Sequence, residues 1–202
     1  VISSAASDVY KRQVNNIVND LNNDMWMYIA NDIFILKTIK DEVGSSTMPH
    51  KVNPIDFENS EGNIGLANSM LNFFAEKLPI SRLQRDLSDS TTLRNIGVAF
   101  GYSVISYKST LKGLQKITPN KNKINEELDN NWIVLSEAVQ TIMRLENIEN
   151  AYEKLKDLTR GKNLNKEQYL EFVENLDVTQ KNKDYLKSLN PRNYIGVAPK
   201  LK

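Results

Sequence analysis

Between Gly44 and Pro54 the chain reads Gly-Ser-Ser-Thr-Met-Pro-His-Lys-Val-Asn-Pro, placing three hydroxyls, an imidazole, a lysine and an amide in one short stretch. Gly44 loosens the backbone, while Pro49 and Pro54 restrict the residues before them and remove amide donors. A polar, punctuated loop of this kind between apolar-periodic segments is where function usually sits. An isolated Gly-Ser-Ser would be read as a plain helix connection; the whole string is far less common by chance. A second cluster follows at Arg82, Arg85, Ser90 and Arg94. Guanidinium forks match phosphate oxygens, and a hydroxyl at a helix N-terminus adds to an anion site.

Helices must position both clusters. Val14, Val18, Leu21, Met25, Ile29, Ile33 and Leu36 recur at three- and four-residue steps, which predicts an amphipathic helix ending near Asp41. A second helix is predicted after Pro54, with the stripe Ile64, Ala67, Leu71, Phe74 and Leu78, and Pro79 as its terminator. Asp56, Glu58 and Glu61 fall in its first turns, where a carboxylate favours the positive end of the helix dipole. Ser90, Thr91 or Thr92 is expected to cap a third helix with the stripe Leu93, Ile96, Phe100, Val104, Tyr107, Leu111 and Leu114. Gly97 and Gly101 are expected to allow a close helix approach there.

After Pro119 the predicted helices shorten. Trp132, Leu135, Val139 and Ile142 mark one; Tyr152, Leu155 and Leu158 another, ending near Gly161; Tyr169, Phe172 and Leu176 a third; Tyr185 and Leu186 a fourth. The tail from Pro191 is expected to be irregular, and no sustained alternation argues for a sheet. The predicted fold is all-α: a long-helix bundle portion over residues 14–115, containing loop 44–54, followed by a small helical C-terminal domain over residues 116–202.

Composition narrows the classes. Hydrophobic residues make up 40% and charged residues 25% of the 202, as in ordinary globular proteins. The net charge of +1 gives no basis for nucleic-acid or membrane-surface binding. The absence of cysteine excludes a disulfide framework, a thiol nucleophile and a thiolate metal site, and fits a cytoplasmic location. A single histidine, His50, is a shortage for an acid–base enzyme.

Residues 44–54 resemble the signature loop of the fumarase/aspartase superfamily, Gly-Ser-Ser-x-Met-Pro-x-Lys-x-Asn-Pro, at every fixed position. Residues 55–63 and the run Arg-Leu-Gln-Arg-Asp-Leu-Ser-Asp-Ser-Thr-Thr-Leu-Arg-Asn at 82–95 narrow the resemblance to the adenylosuccinate lyase family of bacterial purine biosynthesis. It covers the chain from about Val14 onward. The resemblance implies β-elimination of fumarate from adenylosuccinate, giving AMP, and from the succinyl-carboxamide ribotide of the same pathway. It implies Ser45 as general base and Glu58 as the carboxylate that orients an acid histidine. Lys51 and Asn53 would hold the succinyl carboxylates, with Ser46, Val52 and the loop backbone beside them. Arg85, Ser90 and Arg94 suit the nucleotide end, with Asn59, Thr91, Thr92 and Leu93 lining the same site. Arg82 reads as a solvated charge and His50 as a loop residue.

No cofactor or metal is expected. A homotetramer with active sites shared between subunits is implied, with a nucleotide as substrate and neither nucleic acid nor membrane as partner. Members of the family are more than twice this length, so the chain is expected to be the C-terminal part, inactive alone because the acid histidine lies upstream. Residues 1–13 do not match the expected lead-in, and Asp8 to Gln13 resemble a translated sequencing adapter; this stretch is read as non-native. The competing readings are another fumarate-releasing lyase, such as argininosuccinate lyase, and a non-catalytic helical oligomerisation fragment.

Overall fold

The computed structural model describes residues 2–37, 53–83, 85–150, 153, 155–156 and 164–200. These fall in two compact units, Val1–Asn120 and Lys121–Lys202. The first contains α1 (Ile2–Ala30), β1 (Phe34–Leu36), α2 (Ile55–Lys77), α3 (Leu87–Leu93), α4 (Ile96–Lys116) and β2 (Ile117–Pro119). The expected all-α class holds: the two short strands are the only β structure among the described residues.

Three long helices make this unit. Asn22 of α1 reaches Ser60 of α2, and Asn15 reaches Asn68 further along, so α1 and α2 run antiparallel. Asn15 also meets Ser103 of α4 and Asn22 meets Thr110, so α1 and α4 run parallel. On α2 the apolar face is as predicted, with Ile64, Ala67, Leu71, Phe74 and Leu78 all buried. The helix ends at Lys77, just ahead of Pro79.

On the other two long helices the predicted stripes face inward only in part: Ile96 and Phe100 pack against the core of α2, but other members are exposed. In α1 the fully buried positions are Asn15 and Asn22, while Val14 and Leu21 are exposed beside Ile17, which is 71% exposed. In α4 the buried face is Ala99, Ser103, Ser106, Ser109, Thr110, Gly113 and Lys116. Of its predicted stripe, Leu93, Val104 and Leu111 are exposed. The cause is a ladder of polar contacts. Ser60 Oγ lies 2.7 Å from Ser106 Oγ and 2.8 Å from Thr110 Oγ1, and Thr110 donates to Asn22 Oδ1 at 2.8 Å. Buried polar atoms need partners, and here the partners are one another.

Helix α1 was predicted to reach Asp41, which lies outside the described residues, but it already stops at Ala30. Asp32 adopts the left-handed region (φ 59°), and the Ile33 amide turns back to the Tyr28 carbonyl at 2.9 Å. Phe34, Ile35 and Leu36 then pair antiparallel with Pro119, Thr118 and Ile117. Aromatic and β-branched residues suit this extended pairing, and Ile33 and Leu36 only mimicked a further helical turn.

The third predicted helix is in fact two. Asp86, not a hydroxyl, caps α3, accepting from the Ser88 amide at 3.0 Å; the chain then breaks before α4. Thr92 lies in the last turn of α3, not before its first, and its buried hydroxyl donates back to the Ser88 carbonyl. Gly97 and Gly101 are not close-approach points either, since nothing lies within 4 Å of a Cβ built on them. Gly113 is: a Cβ there would meet the Phe57 ring at 2.8 Å.

The second unit contains α5 (Lys121–Asp129), a 3₁₀ turn (Trp132–Leu135), α6 (Ser136–Leu145), α7 (Lys166–Glu174) and α8 (Gln180–Ser188). Leu135, Val139, Ile142, Leu155, Tyr169, Leu176 and Leu186 are buried in one core, as their spacing predicted. Tyr185 instead faces out, and Tyr152, Leu158 and Gly161 lie outside the described residues. Tyr169 donates to the Leu186 carbonyl at 2.9 Å, which satisfies the one polar atom its buried ring carries. Burial pushes that phenol above its ordinary range. Glu146 accepts from the Thr179 amide at 2.8 Å, holding the end of α6 to the start of α8. Among the described residues beyond Pro191 the tail holds only a short 3₁₀ turn, Ala198–Lys200.

The Gly113 contact predicts the cost of one added methyl. In the full-length protein, Gly113→Ala should lower stability by about 1–3 kcal/mol, because Phe57 is buried and cannot move aside. This loss should outweigh the gain of up to about 1 kcal/mol in helix propensity. Denaturant midpoints measure it, and an unchanged or raised midpoint would show that the ring has room to shift.

Candidate active site

Ser45, Ser46, Lys51 and Val52 lie outside the described residues, and the described chain resumes at Asn53. Asn53 is partly buried, and its carbonyl accepts from the Ile55 amide at 2.8 Å. Pro54 opens α2 without a side-chain cap, and its carbonyl accepts from the amides of Phe57 and Glu58. Glu58 is exposed in the first turn, where its Oε1 accepts from the Trp26 indole at 3.1 Å. Trp26 is half exposed and acts here as a donor. Asn59 donates to Ser109 Oγ at 3.0 Å, while its Oδ1 accepts from Asn63 at 3.2 Å.

The second cluster sits at the far end of α2. Lys77 closes that helix and lies 2.8 Å from Asp89, which also accepts from Ser81 at 2.7 Å. Arg85 and Arg94 are exposed, the latter as the residue that ends α3. Ser90, Thr91, Thr92 and Leu93 all belong to α3, with Ser90 in mid-helix rather than at an N-terminus. Thr91 and Thr92 edge a cleft of about 550 Å³ together with Ser88 and Asn95, over Met70, Phe73 and Phe74. Its size suits a small organic ligand. Arg82 is 3.6 Å from Asp86 and almost fully solvated, as expected for a surface charge.

Among the described residues, the first turn of α2 with Glu58 and Asn59 therefore does not meet Arg85 and Arg94 within one chain. Glu58 and Lys77 are nineteen residues apart on one helix, which at 1.5 Å per residue separates them by roughly 28 Å.

The sequence reading missed two roles near the site: the buried ion pairing of Asp56, which it placed only in the first turn of α2, and the capping role of Asp86. Asp56 is buried between Lys116, also buried, and Lys112, whose Nζ is 3.2 Å from Asp56 Oδ1. The available signal was Lys116 following Ser109 and Gly113 at helical steps, on the inward face of α4. Asp86 is the other. Hydrogen bonds from the Ser88 hydroxyl and amide hold its carboxyl down at about 2.

A carboxyl lowered in the folded state contributes stability that is complete above its unfolded pKa of about 3.9 and is lost as pH falls through the folded value. The cap of α3 should thus weaken only between about pH 4 and pH 2. In Ser88→Ala the Asp86 midpoint should rise toward about 3.9, as followed by its side-chain carboxyl carbon shift. A midpoint unmoved from the wild-type value would remove the Ser88 hydroxyl as the cause.

The family profile described as "Adenylosuccinate lyase C-terminal" matches residues 81–195, more than half of the chain, and that described as "Lyase" matches residues 6–67. The chain is 57% identical over 187 residues to the adenylosuccinate lyase of Buchnera aphidicola subsp. Schizaphis graminum, covering 93% of this chain and 41% of that protein. It is 55% identical over 184 residues to the adenylosuccinate lyase of Escherichia coli K12, covering 91% and 40%. For that of Legionella pneumophila (strain Corby) the identity is 53% over 189 residues, covering 94% and 41%. The chain thus spans about two fifths of the length of the curated relatives it matches. With more than half its residues in the C-terminal profile and more than half of aligned positions identical to these enzymes, the chain belongs to the adenylosuccinate lyase family.

Proposed function

We propose that this chain is the C-terminal portion of a cytoplasmic adenylosuccinate lyase that releases fumarate from adenylosuccinate, leaving AMP, and from the succinyl-carboxamide ribotide. The observation that carries the reading is identity above one half to enzymes of that name across more than nine tenths of the chain. Neither argininosuccinate lyase nor a non-catalytic module has a comparable observation in its favour.

In this reading Ser45 removes the proton from the carbon beside a succinyl carboxylate. The charge spreads into that carboxylate, which Lys51 and Asn53 hold, one by charge and one by its amide, with Ser46 and Val52 adjoining. The C–N bond breaks and the nitrogen takes a proton from a histidine upstream of this chain, oriented by Glu58. The Trp26 indole supports the role of Glu58 by fixing one of its oxygens. Arg85 and Arg94 meet the phosphate, and Asn59, Ser90, Thr91, Thr92 and Leu93 line the nucleotide side.

The separation of the two clusters along α2 supports a homotetramer whose sites combine residues of several subunits. The outward apolar residues support it too: Ile17 on α1, Phe73 on α2 and Leu111 on α4 are more than half exposed and suit a larger helical bundle. Residues 14–115 would be this chain's share of that bundle.

In the full-length enzyme, Ser45→Ala should nearly abolish fumarate release and leave equilibrium binding of substrate largely intact. Near-normal turnover would sink the assignment of the base.

Arg94→Ala should mainly weaken AMP binding, by about 1.5–3 kcal/mol. Mixed, dissociated and reassociated with Ser45→Ala, it should regain turnover, since some sites then carry neither change. A mixture no more active than the sum of its parts would show that each site lies within one chain.

A further inference from the structure

Lys116 is a buried lysine, only 5% exposed, and its ammonium meets the equally secluded carboxylate of Asp56 in the first turn of α2. Burying such a pair is costly, and an apolar pair of similar volume would hold two helices together as well or better. Packing alone does not account for it. The same residue acts a second time through its backbone: the Lys116 carbonyl accepts from the Lys37 amide at 2.8 Å. Lys37 is the last described residue before 38–52, and Asp56 lies just beyond that stretch. One residue therefore holds the chain on both sides of the segment that carries Ser45, Lys51 and Asn53.

Neighbouring contacts stiffen both anchor points. On the Lys37 side, β1 pairs with β2 and the Asn120 amide donates to the Ile33 carbonyl at 2.9 Å. On the Asp56 side, Ser109 Oγ donates to the Asp56 carbonyl at 2.8 Å, and the Phe57 ring lies against Gly113. We propose that Lys116 is a positioning residue for the elimination: it fixes the separation of the two points from which segment 38–55 departs, and so the placement of the base and carboxylate-holding groups. The inference rests on the reading that residues 44–54 carry those groups. Catalytic groups tolerate little misplacement, since an error near 1 Å can cost on the order of 100-fold in rate.

The test uses the full-length enzyme with Lys116→Met, Lys116→Arg, Asp56→Leu/Lys116→Met and Ser45→Ala. Lys116→Met should lower kcat on the order of 100-fold while AMP affinity stays at the wild-type value, because the arginines sit at the far end of α2. Lys116→Arg should recover most of the loss. If Lys116→Met does not fold, the double variant, which leaves no unpaired charge at Asp56, should fold and show the same loss of kcat. Wild-type kcat and KM in a folded variant lacking the pair would overturn the proposal. So would a loss shared equally by AMP affinity and turnover, which marks general structural support. Ser45→Ala separates the two levels. A dead Ser45→Ala beside a fully active double variant removes only the clasp, whereas an active Ser45→Ala removes the underlying reading and the clasp with it.

Discussion

The first unit depends on the hydroxyl and amide contacts between its long helices. Asn15 and Asn22 are the positions at which α1 is sealed from solvent, and each is an amide that must find partners on α2 and α4. An Asn side chain has two donors and an acceptor with two lone pairs. Rotating α1 to bury Val14 and Leu21 instead would strand those two amides and take from Ser60, Ser103 and Thr110 their partner on α1. Asn19 Oδ1 is the one buried side-chain atom without a partner among the described residues, so the seam is nearly closed.

That seam governs where the candidate site lies. With α1, α2 and α4 aligned by it, the first turn of α2 faces the last turn of α4, and Asp56, Phe57 and Asn59 meet Lys116, Gly113 and Ser109. The opposite end of α2 receives α3 through Lys77, Asp86 and Asp89. The helix thus acts as a spacer with chemistry at both ends. Its length keeps Glu58 and Asn59 in its first turn apart from Arg94 at the end of α3.

Helix existence and the family were legible in the sequence; helix orientation was not. The stripe of α2 read correctly because its inward face is apolar. The stripes of α1 and α4 misled because apolar periodicity reports that a helix has a face to cover, without saying what covers it. Here small and hydroxyl residues at Ser103, Ser106, Thr110 and Gly113 let α4 approach its neighbours, and the larger Val104 and Leu111 point away. The end of α1 was missed because Ile33 and Leu36 keep helical spacing, while the strand they join depends on a partner more than eighty residues later. Asp86 was missed as a cap because three hydroxyls downstream offered the same chemistry on paper, although Thr92 spends its own on a carbonyl.

The division of labour between the two kinds of face follows from magnitudes. A neutral buried hydrogen bond contributes only about 0.5–1.5 kcal/mol net, but an unmet polar group costs about 1–3 kcal/mol. Such a seam therefore adds modest stability and strongly penalises misalignment, because a slip of α1 would break several bonds together. Covering a residue such as Ile17, Phe73 or Leu111 contributes about 1.5–3 kcal/mol each, indifferent to register. Alignment within the chain is thus set by polar contacts that tolerate no slip, and the larger non-directional term stays available on the outside. A helix unit built this way keeps its internal geometry fixed while its exposed faces remain free to be covered, and the first turn of α2, with Glu58 and Asn59, inherits its position from the aligned seam.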